Sequence, residues 1–214
     1  MSEPDRFVII GAGGQGAEAL WVARASSREG FLGFLDADPE LAGKEVLGAE
    51  VLGAEDDFIA QGNAGVGFHC AIGNNGVRKA VAEKMQAAGL LPVTLIHPHA
   101  IVTEDVEIGA GTYIGAGTVV SIRARLGMHT LVNLNVTVGH DAVVGDYAQL
   151  CPGARVNGCC QVGAEALIGS NAVIEPGKSV GSGATLAACS FATDDVQPGE
   201  TALGIPARAI FRKS

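Results

Sequence analysis

The sequence predicts a small α/β domain followed by a parallel β-helix, and three observations carry this prediction. From Ile96 onward, an aliphatic residue recurs at every sixth position. Before that point, short β-type runs alternate with helical segments. The composition is 48% hydrophobic but only 5% aromatic, with 31 glycines among 214 residues, which suits an aliphatic, turn-rich β structure. We therefore expect two domains, residues 1–95 and residues 96–214.

The six-residue repeat runs without a gap through sixteen positions. A period of six fits neither an α-helix nor a simple alternating strand, and it indicates one short strand and one corner per repeat. Three such sides close a triangular coil of eighteen residues, and each coil stacks on the one before it. The repeats cover ninety residues, so we expect five coils. The repeated residues are Ile96, Val102, Ile108, Ile114, Val120, Leu126, Val132, Val138, Val144, Leu150, Val156, Val162, Ile168, Ile174, Val180 and Leu186.

Small residues and glycines occupy two further positions of the repeat. Four residues after each aliphatic position the side chain is mostly small, with Lys178 as the exception. We expect the small residue to fill the tight space inside the corner. We expect the glycine that often follows the aliphatic residue to relax the backbone limits of the corner. These glycines are Gly109, Gly115, Gly127, Gly139, Gly145, Gly163, Gly169 and Gly181.

The N-terminal segment has a different organisation. A β-type run at residues 6–10 leads into a glycine-rich loop and a helix expected at 17–26. A second strand is expected at 31–35 and a third at 66–72, followed by a helix at 76–88. This alternation predicts a Rossmann-like parallel α/β domain of three or four strands.

The glycine-rich loop is a candidate phosphate-binding site, because a loop that opens a helix presents backbone N–H groups to an anion. Asp36, at the end of the second strand, suits the acidic partner of a dinucleotide loop. The domain has room for only half of a dinucleotide fold, so a nucleotide sugar fits better than NAD. A purely structural turn is the alternative. The candidate nucleotide-sugar-binding residues are Gly11, Gly13, Gly14, Gln15, Asp36, Ala37 and Gly73.

Composition and charge argue against several classes of partner. The net charge is −9 and no basic run of five residues occurs, so nucleic acid is not expected as a partner. No apolar stretch is long enough to span a membrane, and the first residues do not resemble a secretory signal. The five cysteines lack zinc-site spacing, which predicts reduced thiols in a cytoplasmic protein without a metal site.

His140 is the candidate catalytic base. It stands two residues after the inward-facing Val138, so its ring should point outward from a corner. Imidazole is the side chain whose ordinary pKa lies closest to neutral pH, and Asp141 is placed to hold its tautomer. A solvated surface pair is the alternative on these residues alone. His129 is expected to be solvated on a coil face, and the other three histidines to be structural.

These motifs together resemble a known family. The chain is similar to the bacterial sugar acetyltransferases of the sialic acid O-acetyltransferase and UDP-4-amino-sugar N-acetyltransferase family. The resemblance implies a nucleotide-sugar-binding domain, a left-handed β-helix that binds acetyl-CoA, and a homotrimer with active sites between neighbouring subunits. Acetyl would pass directly from the thioester to the sugar. The shared motifs, in order, are VIIGAGGQG, GFLDAD, AIGNNGVRKAV, TLIHPHA, NLNVTVGHDAVVGD, LCPGA and GIPAR.

The resemblance also implies roles for single residues. It matches His140 with the catalytic histidine and Asp141 with the acidic residue that follows it. Gly158 lies one coil beyond His140, where its N–H could meet the thioester carbonyl, and easing a corner is the alternative. Ala188 aligns with a backbone contact to the CoA arm.

The resemblance also suggests roles for three further residues, and for two of them a structural alternative remains. Pro206 and Arg208 match the segment that walls the CoA groove, although Arg208 could be a plain surface residue. Asn133 is either an amide near the sugar or the catalytic ring, or an asparagine stacked in a corner.

Two departures from the family concern the substrate, since Gln15 stands where many relatives have histidine and Ala37 replaces a second acidic residue. The expected reaction is N-acetylation of a nucleotide-linked 4-amino-4,6-dideoxy sugar. O-acetylation of a sialic acid or related sugar is the alternative. A β-helix carbonic anhydrase and a non-catalytic nucleotide-sugar sensor represent other classes. Three cysteines lie near the expected groove without a base placed beside them, which disfavours an acyl-cysteine: Cys151, Cys159 and Cys189.

Overall fold

A four-stranded parallel sheet organises the first part of the chain. The structure, a computed structural model, describes residues 4–212, with side chains to residue 210. It divides into two compact units at the boundary between Leu95 and Ile96. The elements of the first unit are β1 (Phe7–Ile10), α1 (Gly14–Ala25), β2 (Phe31–Leu35), a 3-10 turn (Pro39–Leu41), β3 (Glu45–Val46), β4 (Ala49–Glu50), α2 (Glu55–Ala60), β5 (Gly67–Cys70), α3 (Asn75–Ala87) and β6 (Leu91–Pro92).

The sheet has the strand order β2-β1-β5-β6, and β1 is buried along its whole length. The predicted alternation of strands and helices is confirmed. The segment between β2 and β5 was not predicted, because its two-residue strands and short helix carry no periodic signal. Helix α1 begins at Gly14, three residues earlier than expected. Gly16 permits the close approach of α1 to the preceding loop, since a Cβ there would overlap the carbonyl oxygen of Gly11.

The second unit is a parallel β-helix of two-residue strands. Strands pair with a register of eighteen residues, as in the pairing of Val138 with Val156. The coil strands are β7 (Leu95–Ile96), β8 (Ile101–Val102), β9 (Glu107–Ile108), β10 (Tyr113–Ile114), β11 (Val119–Val120), β12 (Arg125–Leu126), β13 (Leu131–Val132), β14 (Thr137–Val138), β15 (Val143–Val144), β16 (Gln149–Leu150), β17 (Arg155–Val156), β18 (Gln161–Val162), β19 (Leu167–Ile168), β20 (Val173–Ile174), β21 (Ser179–Val180), β22 (Thr185–Leu186) and β23 (Phe191–Ala192).

These strands form the three walls of the triangular coil, and the repeated aliphatic residues fill its centre. The solenoid continues beyond the five coils expected and has about six turns. Val180 is bridged to Val196 and Leu186 pairs with Ala202, so the last turn has a register of sixteen residues. The sequence period is lost at this point, which is why the last turn was missed. An antiparallel hairpin of β24 (Glu200–Gly204) and β25 (Ala207–Arg212) ends the described chain.

The corners differ from the expectation in one respect. The glycines that follow the aliphatic residues do not have positive φ. A Cβ on each of them would lie no farther than 3.0 Å from the next coil, so they are required for close stacking. The left-handed corner position comes two residues later, where every sixth residue has positive φ: Gly111, Gly117, Arg123, His129, Asn135, Asp141, Tyr147, Gly153, Cys159, Glu165, Asn171, Gly177, Gly183 and Cys189.

No helix within residues 4–212 is both long enough and apolar enough to cross a bilayer.

Candidate active site

His140 lies at the corner between β14 and β15, with 57% of its side chain exposed. The backbone of this corner is bonded to the coils on both sides. Asp141 N–H donates to the carbonyl oxygen of Ile122 at 3.1 Å, and Cys159 N–H donates to that of His140 at 2.8 Å. The corner therefore presents the imidazole outward, as predicted, from a backbone that is fixed by its neighbours.

Asp141 orients the imidazole through its side chain. His140 Nδ1 lies 2.8 Å from Asp141 Oδ2. Asp141 has a positive φ of 59°, and its carboxylate lies against the ring of the preceding residue. If Nδ1 carries the proton, His140 Nε2 is left as the acceptor. Among the described residues, Nε2 makes no hydrogen bond. This is the arrangement that general-base catalysis requires.

Arg123 completes the site and was missed by the sequence analysis. Its Nε donates to Asp141 Oδ1 at 2.7 Å and its terminal nitrogen donates to Oδ2 at 2.9 Å. The guanidinium, and after it His140, holds the pKa of the Asp141 carboxyl well below its ordinary value. In turn, the hydrogen bond to Asp141 raises the pKa of Arg123. Arg123 lies eighteen residues before Asp141, so the coil period could have found it.

Gly158 lies directly beside the imidazole. A Cβ built on this glycine would be 2.5 Å from His140 Nε2 and 2.7 Å from Cε1. Its φ is not positive, which argues against the alternative that it merely eases a corner. Within the described part of the chain, its N–H donates to no acceptor. An unoccupied donor thus stands next to the free ring nitrogen.

The same corner also contains an exposed thiol. The ligand atoms of His140, Asp141 and Cys159 all lie within 4.8 Å of one another. The expectation that no base stands beside this cysteine is therefore wrong, because consecutive coils align positions eighteen residues apart. An open cavity of about 330 Å³ adjoins the corner and is lined by residues that include Asp105, Arg123 and Asp141.

Ala188 and Asn133 lie at a different corner from His140. Both follow strands of the wall that contains β13 and β22, whereas His140 and Gly158 follow strands of the next wall. Asn133 is only 6% exposed, and its Oδ1 accepts from the N–H of Leu134 at 3.0 Å. Within one chain, this placement supports the structural alternative for Asn133. Ala188 is exposed.

Pro206 and Arg208 belong to the C-terminal hairpin, Pro206 in its turn and Arg208 in β25. Arg208 donates to Asp194 Oδ2 at 3.2 Å. Asp194 lies at the corner between β23 and the bridged Val196. This corner is on the same edge of the coil as His140, three coils further along the axis. Stacked strands are about 4.8 Å apart, so Arg208 is tied to the His140 edge about 14 Å along the axis.

The glycine-rich loop of the first unit is held by Asp36. Its Oδ2 accepts from the N–H of Ala12 at 2.8 Å, and its Oδ1 accepts from that of Asp38 at 3.0 Å. A cavity of about 220 Å³ is lined by Gly11, Asp36 and Ala37, among others. The structure therefore brings the end of β2 together with the loop that opens α1.

Three glycines near this cavity have different roles. Gly11 has positive φ, and a Cβ there would lie 3.0 Å from the carbonyl oxygen of Ala71. Gly13 and Gly14 have nothing within 4 Å of a built Cβ, so space remains open above them. Gln15, in the first turn of α1, is partly buried.

Arg78 organises the second loop of this unit and was also missed. It is fully buried, and it donates to the carbonyl oxygen of Ile72 at 2.7 Å and to Asn75 Oδ1 at 2.9 Å. Gly73, which the sequence proposed, is exposed within the loop that Arg78 holds. A buried arginine at the start of a helix gives no signal in a hydrophobic period.

His129 differs from the expectation of a solvated residue. It is 1% exposed, and its ring stacks on Tyr147 with centroids 5.3 Å apart and an interplanar angle of 6°. Gly111, one coil earlier, makes room for the ring, since a Cβ there would overlap it. His69 is buried as expected, with Nδ1 2.9 Å from the carbonyl oxygen of Val93, and burial lowers its pKa to about 4.

Comparisons with known proteins identify the family. Residues 6–85 match the PglD N-terminal domain. The chain is 32% identical over 155 residues to a GDP-perosamine N-acetyltransferase from Escherichia coli, covering 71% of this chain and 70% of the relative.

Solved structures agree with this match. PerB from Caulobacter crescentus, in complex with CoA and GDP-perosamine, shares 29% identity and has a TM-score of 0.89, covering 95% of this chain and 96% of that one. The acetyltransferase domain of PglB from Neisseria gonorrhoeae, in complex with acetyl coenzyme A, shares 30% identity with the same TM-score, covering 97% and 100%. The chain therefore belongs to the bacterial sugar acetyltransferases of the hexapeptide-repeat type, whose β-helix is left-handed.

Proposed function

We propose that this acetyltransferase uses acetyl-CoA to acetylate the amino group of a nucleotide-linked 4-amino-4,6-dideoxy sugar. The observation that carries the proposal is the open corner of His140, where a free Nε2 stands beside the free N–H of Gly158. A base and an oxyanion donor are the two groups that direct acyl transfer to an amine requires. The relative named as a GDP-perosamine N-acetyltransferase supports an amino-sugar acceptor.

The reaction follows from these two groups. His140 Nε2 takes a proton from the sugar amine while the amine nitrogen attacks the thioester carbonyl. The carbonyl oxygen gains negative charge and accepts from the N–H of Gly158. When the C–S bond breaks, the imidazolium returns its proton to the CoA sulfur. Asp141 holds the imidazole tautomer and stabilises the imidazolium, as orienting carboxylates do in other acyl transfers.

The first domain, residues 1–95, is proposed to bind the nucleotide sugar. The N–H groups at the start of α1 suit a diphosphate, and Gly13 and Gly14 leave space for it. Asp36 keeps the loop in shape and lies at the cavity beside Ala37. Gln15 and Ala37 are proposed to adapt the site to its own sugar nucleotide, with Gly73 on the neighbouring loop.

The second domain, residues 96–214, is proposed to bind acetyl-CoA along the edge that carries His140. Arg208 is tied to that edge through Asp194, three coils away, where a cation can meet a CoA phosphate. Pro206 sets the turn beside it. Ala188 faces a different corner, so its contact with CoA would come from a neighbouring subunit of a homotrimer.

Two wider features belong to the same proposal. The five cysteines are free, including the adjacent Cys159 and Cys160, which fits reducing conditions and a cytoplasmic enzyme. The carbonic anhydrase alternative needs three histidine ligands. The group of three potential ligands that the described residues bring together contains a single histidine, which argues against it.

A matched acceptor screen tests the proposed reaction. Acetyl-CoA turnover would be measured with 4-amino sugars linked to GDP, UDP or dTDP, each paired with the 4-hydroxyl sugar on the same nucleotide. We expect release of CoA with an amino sugar and none with its hydroxyl partner. Faster turnover of the hydroxyl sugars, or of a free sialic acid, would replace N-acetylation by O-acetylation.

A further inference from the structure

The corner that carries the base also carries a second arrangement of donor atoms. One ligand atom each from His140, Asp141 and Cys159 lies within 4.8 Å of the other two. The thiol of Cys159 is free and exposed, the imidazole is exposed and the carboxylate is half-buried. Acetyl transfer as proposed above uses the imidazole and the carboxylate but gives no role to the thiol.

The backbone holds these three side chains in place. Asp141 and Cys159 occupy the same corner position of consecutive coils, with φ of 59° and 61°. The N–H of Cys159 donates to the carbonyl oxygen of His140 at 2.8 Å. A cation would replace the hydrogen bond between His140 Nδ1 and Asp141 Oδ2, whereas Arg123 can stay paired with Asp141 Oδ1. Because the three ligand atoms already lie near one another, little side-chain freedom is lost when a cation binds.

The donor set has the chemistry of a zinc site. Zn²⁺ binds thiolate, imidazole and carboxylate at about 2.0–2.3 Å in tetrahedral geometry, which places ligand atoms about 3.5 Å apart. Bringing ligand atoms from separations of up to 4.8 Å to about 3.5 Å requires a movement of about 1 Å, which rotation of the exposed thiol of Cys159 can supply. Mg²⁺ and Ca²⁺ prefer sets made of oxygen ligands, so they fit poorly. Three protein ligands leave the fourth position open to water.

We propose that His140, Asp141 and Cys159 bind Zn²⁺ or a similarly soft divalent cation, and that the bound cation withdraws the imidazole from catalysis. The thiol releases its proton to solvent as the metal–sulfur bond forms. When Nδ1 binds the cation, the ring proton moves to Nε2, which then can no longer accept a proton from the sugar amine. Zn²⁺ is then an inhibitor that competes for the base, and the enzyme does not need it for acetyl transfer. The inhibitory part of this inference rests on the proposed function of His140, whereas the binding part does not.

Binding is tested with Co²⁺ as a spectroscopic probe and with Zn²⁺ in calorimetry. We expect one cation per chain and the near-ultraviolet absorption of a cobalt–thiolate bond. Cys159→Ser should abolish the absorption and weaken Zn²⁺ binding by at least about 10–100-fold, the loss typical of even an outer partner of a metal ligand. Cys189→Ser is the matched control, because Cys189 is also exposed at a positive-φ corner but lies outside the cluster.

Two outcomes would overturn the site: no binding of either cation to the wild-type chain, or a cobalt–thiolate absorption that survives in Cys159→Ser. Inhibition is measured separately. Zn²⁺ should inhibit the wild type and the Cys189→Ser variant, a chelator should restore activity, and Cys159→Ser should resist. Binding without inhibition would overturn the withdrawal of the imidazole, and the kinetics of His140→Ala then decide separately whether this residue is the base. Absence of binding in a fully active enzyme would overturn the cation site alone.

Discussion

Arg123 is the first residue of a chain of hydrogen bonds that ends at the imidazole of His140. It donates two hydrogen bonds to Asp141, which in turn meets His140 Nδ1. Arg123 and His140 lower the pKa of the Asp141 carboxyl. The ion pair therefore contributes stability above the ordinary carboxyl pKa, and that contribution is lost only as the pH falls through the lower, folded-state value. Throughout the neutral range the carboxylate stays charged and can hold the ring.

Replacing Arg123 tests whether it positions the base. Arg123→Gln should lower kcat by about 2–5-fold, the effect of losing an exposed ion pair, with little change in KM for acetyl-CoA. Because the pKa of Asp141 then rises toward its ordinary value, the variant should be less stable than the wild type at neutral pH, and the difference should shrink in acid as the Asp141 carboxyl is protonated. Kinetics at neutral pH and denaturant unfolding across the acidic range would measure the two effects.

Arg125→Gln is the matched control, since Arg125 is exposed two residues away and pairs only loosely with Glu107 at 3.4 Å. It should leave unchanged both kcat and the way in which folding stability depends on pH. Equal effects in the two variants would point to surface charge in general and not to the orientation of Asp141.

Replacing His140 tests the base itself. His140→Ala should lower kcat by about 10²–10⁴-fold, which is the usual contribution of general-base catalysis. Binding of acetyl-CoA, measured by calorimetry, should persist. His99→Ala serves as the control, because His99 is an exposed histidine in the same domain. If His140→Ala kept more than about a tenth of wild-type kcat, general-base catalysis by this residue would be abandoned.

At the scale of the coil, the sequence predicted most of what depends on a repeated environment. The wall strands and their inward residues follow from the period, because every coil offers the same core position. The outward position of His140 follows in the same way. The backbone conformation of the corner could not be predicted from the period, since Arg123, His129 and Asp141 adopt positive φ without being glycine. Local composition could not reveal this, because stacking on neighbouring coils overrides the intrinsic preference of each residue.

At the candidate site, the contacts that follow from the eighteen-residue period could be predicted, and those made by loops could not. Residues eighteen apart share an edge, so the neighbourhood of His140 and Gly158 could be deduced from the period alone. Arg123 and Cys159 were equally accessible to that argument. By contrast, the hydrogen bond from Ala12 to Asp36 depends on how a loop closes on the end of a strand, and no period encodes that closure.

Two glycine substitutions distinguish stacking from backbone freedom. Gly145→Ala places a Cβ 2.5 Å from the backbone nitrogen of Ala164, so it should destabilise the fold by about 1–3 kcal/mol, as overpacking does. Gly183→Asn lies at a positive-φ corner with nothing within 4 Å, and Asn135 and Asn171 already occupy equivalent corners. It should change stability by no more than about 0.5 kcal/mol. Denaturant unfolding measures both variants, and a more harmful Gly183→Asn would reverse the assignment of roles.

Asp36 tests the loop of the first domain. Asp36→Ala removes two hydrogen bonds from backbone N–H groups to a charged carboxylate. It should raise KM for the sugar nucleotide by at least about 10-fold, because such bonds are typically worth about 1.5–3 kcal/mol. KM for acetyl-CoA should change little. Asp38→Ala is the control, since Asp38 is exposed and caps only the adjacent 3-10 turn. A variant that instead lost affinity for acetyl-CoA would contradict the assignment of the domains.

The placement of the candidate residues around the coil favours a site that is shared between subunits. His140 and Gly158 lie at one corner of the coil, and Ala188 lies at another. The proposed contacts of one CoA molecule, with its thioester at His140 and Gly158 and its arm at Ala188, therefore fall on different corners of a single chain. In a cyclic trimer the edge of one subunit can meet a different edge of its neighbour. We propose the homotrimer for this reason, and sedimentation that shows a monomer at micromolar concentration would remove it.

A mixing experiment tests the shared site directly. His140→Ala should lack the base, and Ala188→Trp should obstruct the CoA arm, so each variant alone should be inactive. In a trimer assembled at random from equal amounts, a quarter of the interfaces combine an intact His140 with a neighbour's intact Ala188, so about a quarter of wild-type activity should return. Mixing without dissociation and reassembly is the control and should restore none. If each site belonged to one chain, co-assembled variants would stay inactive even though both fold and form trimers.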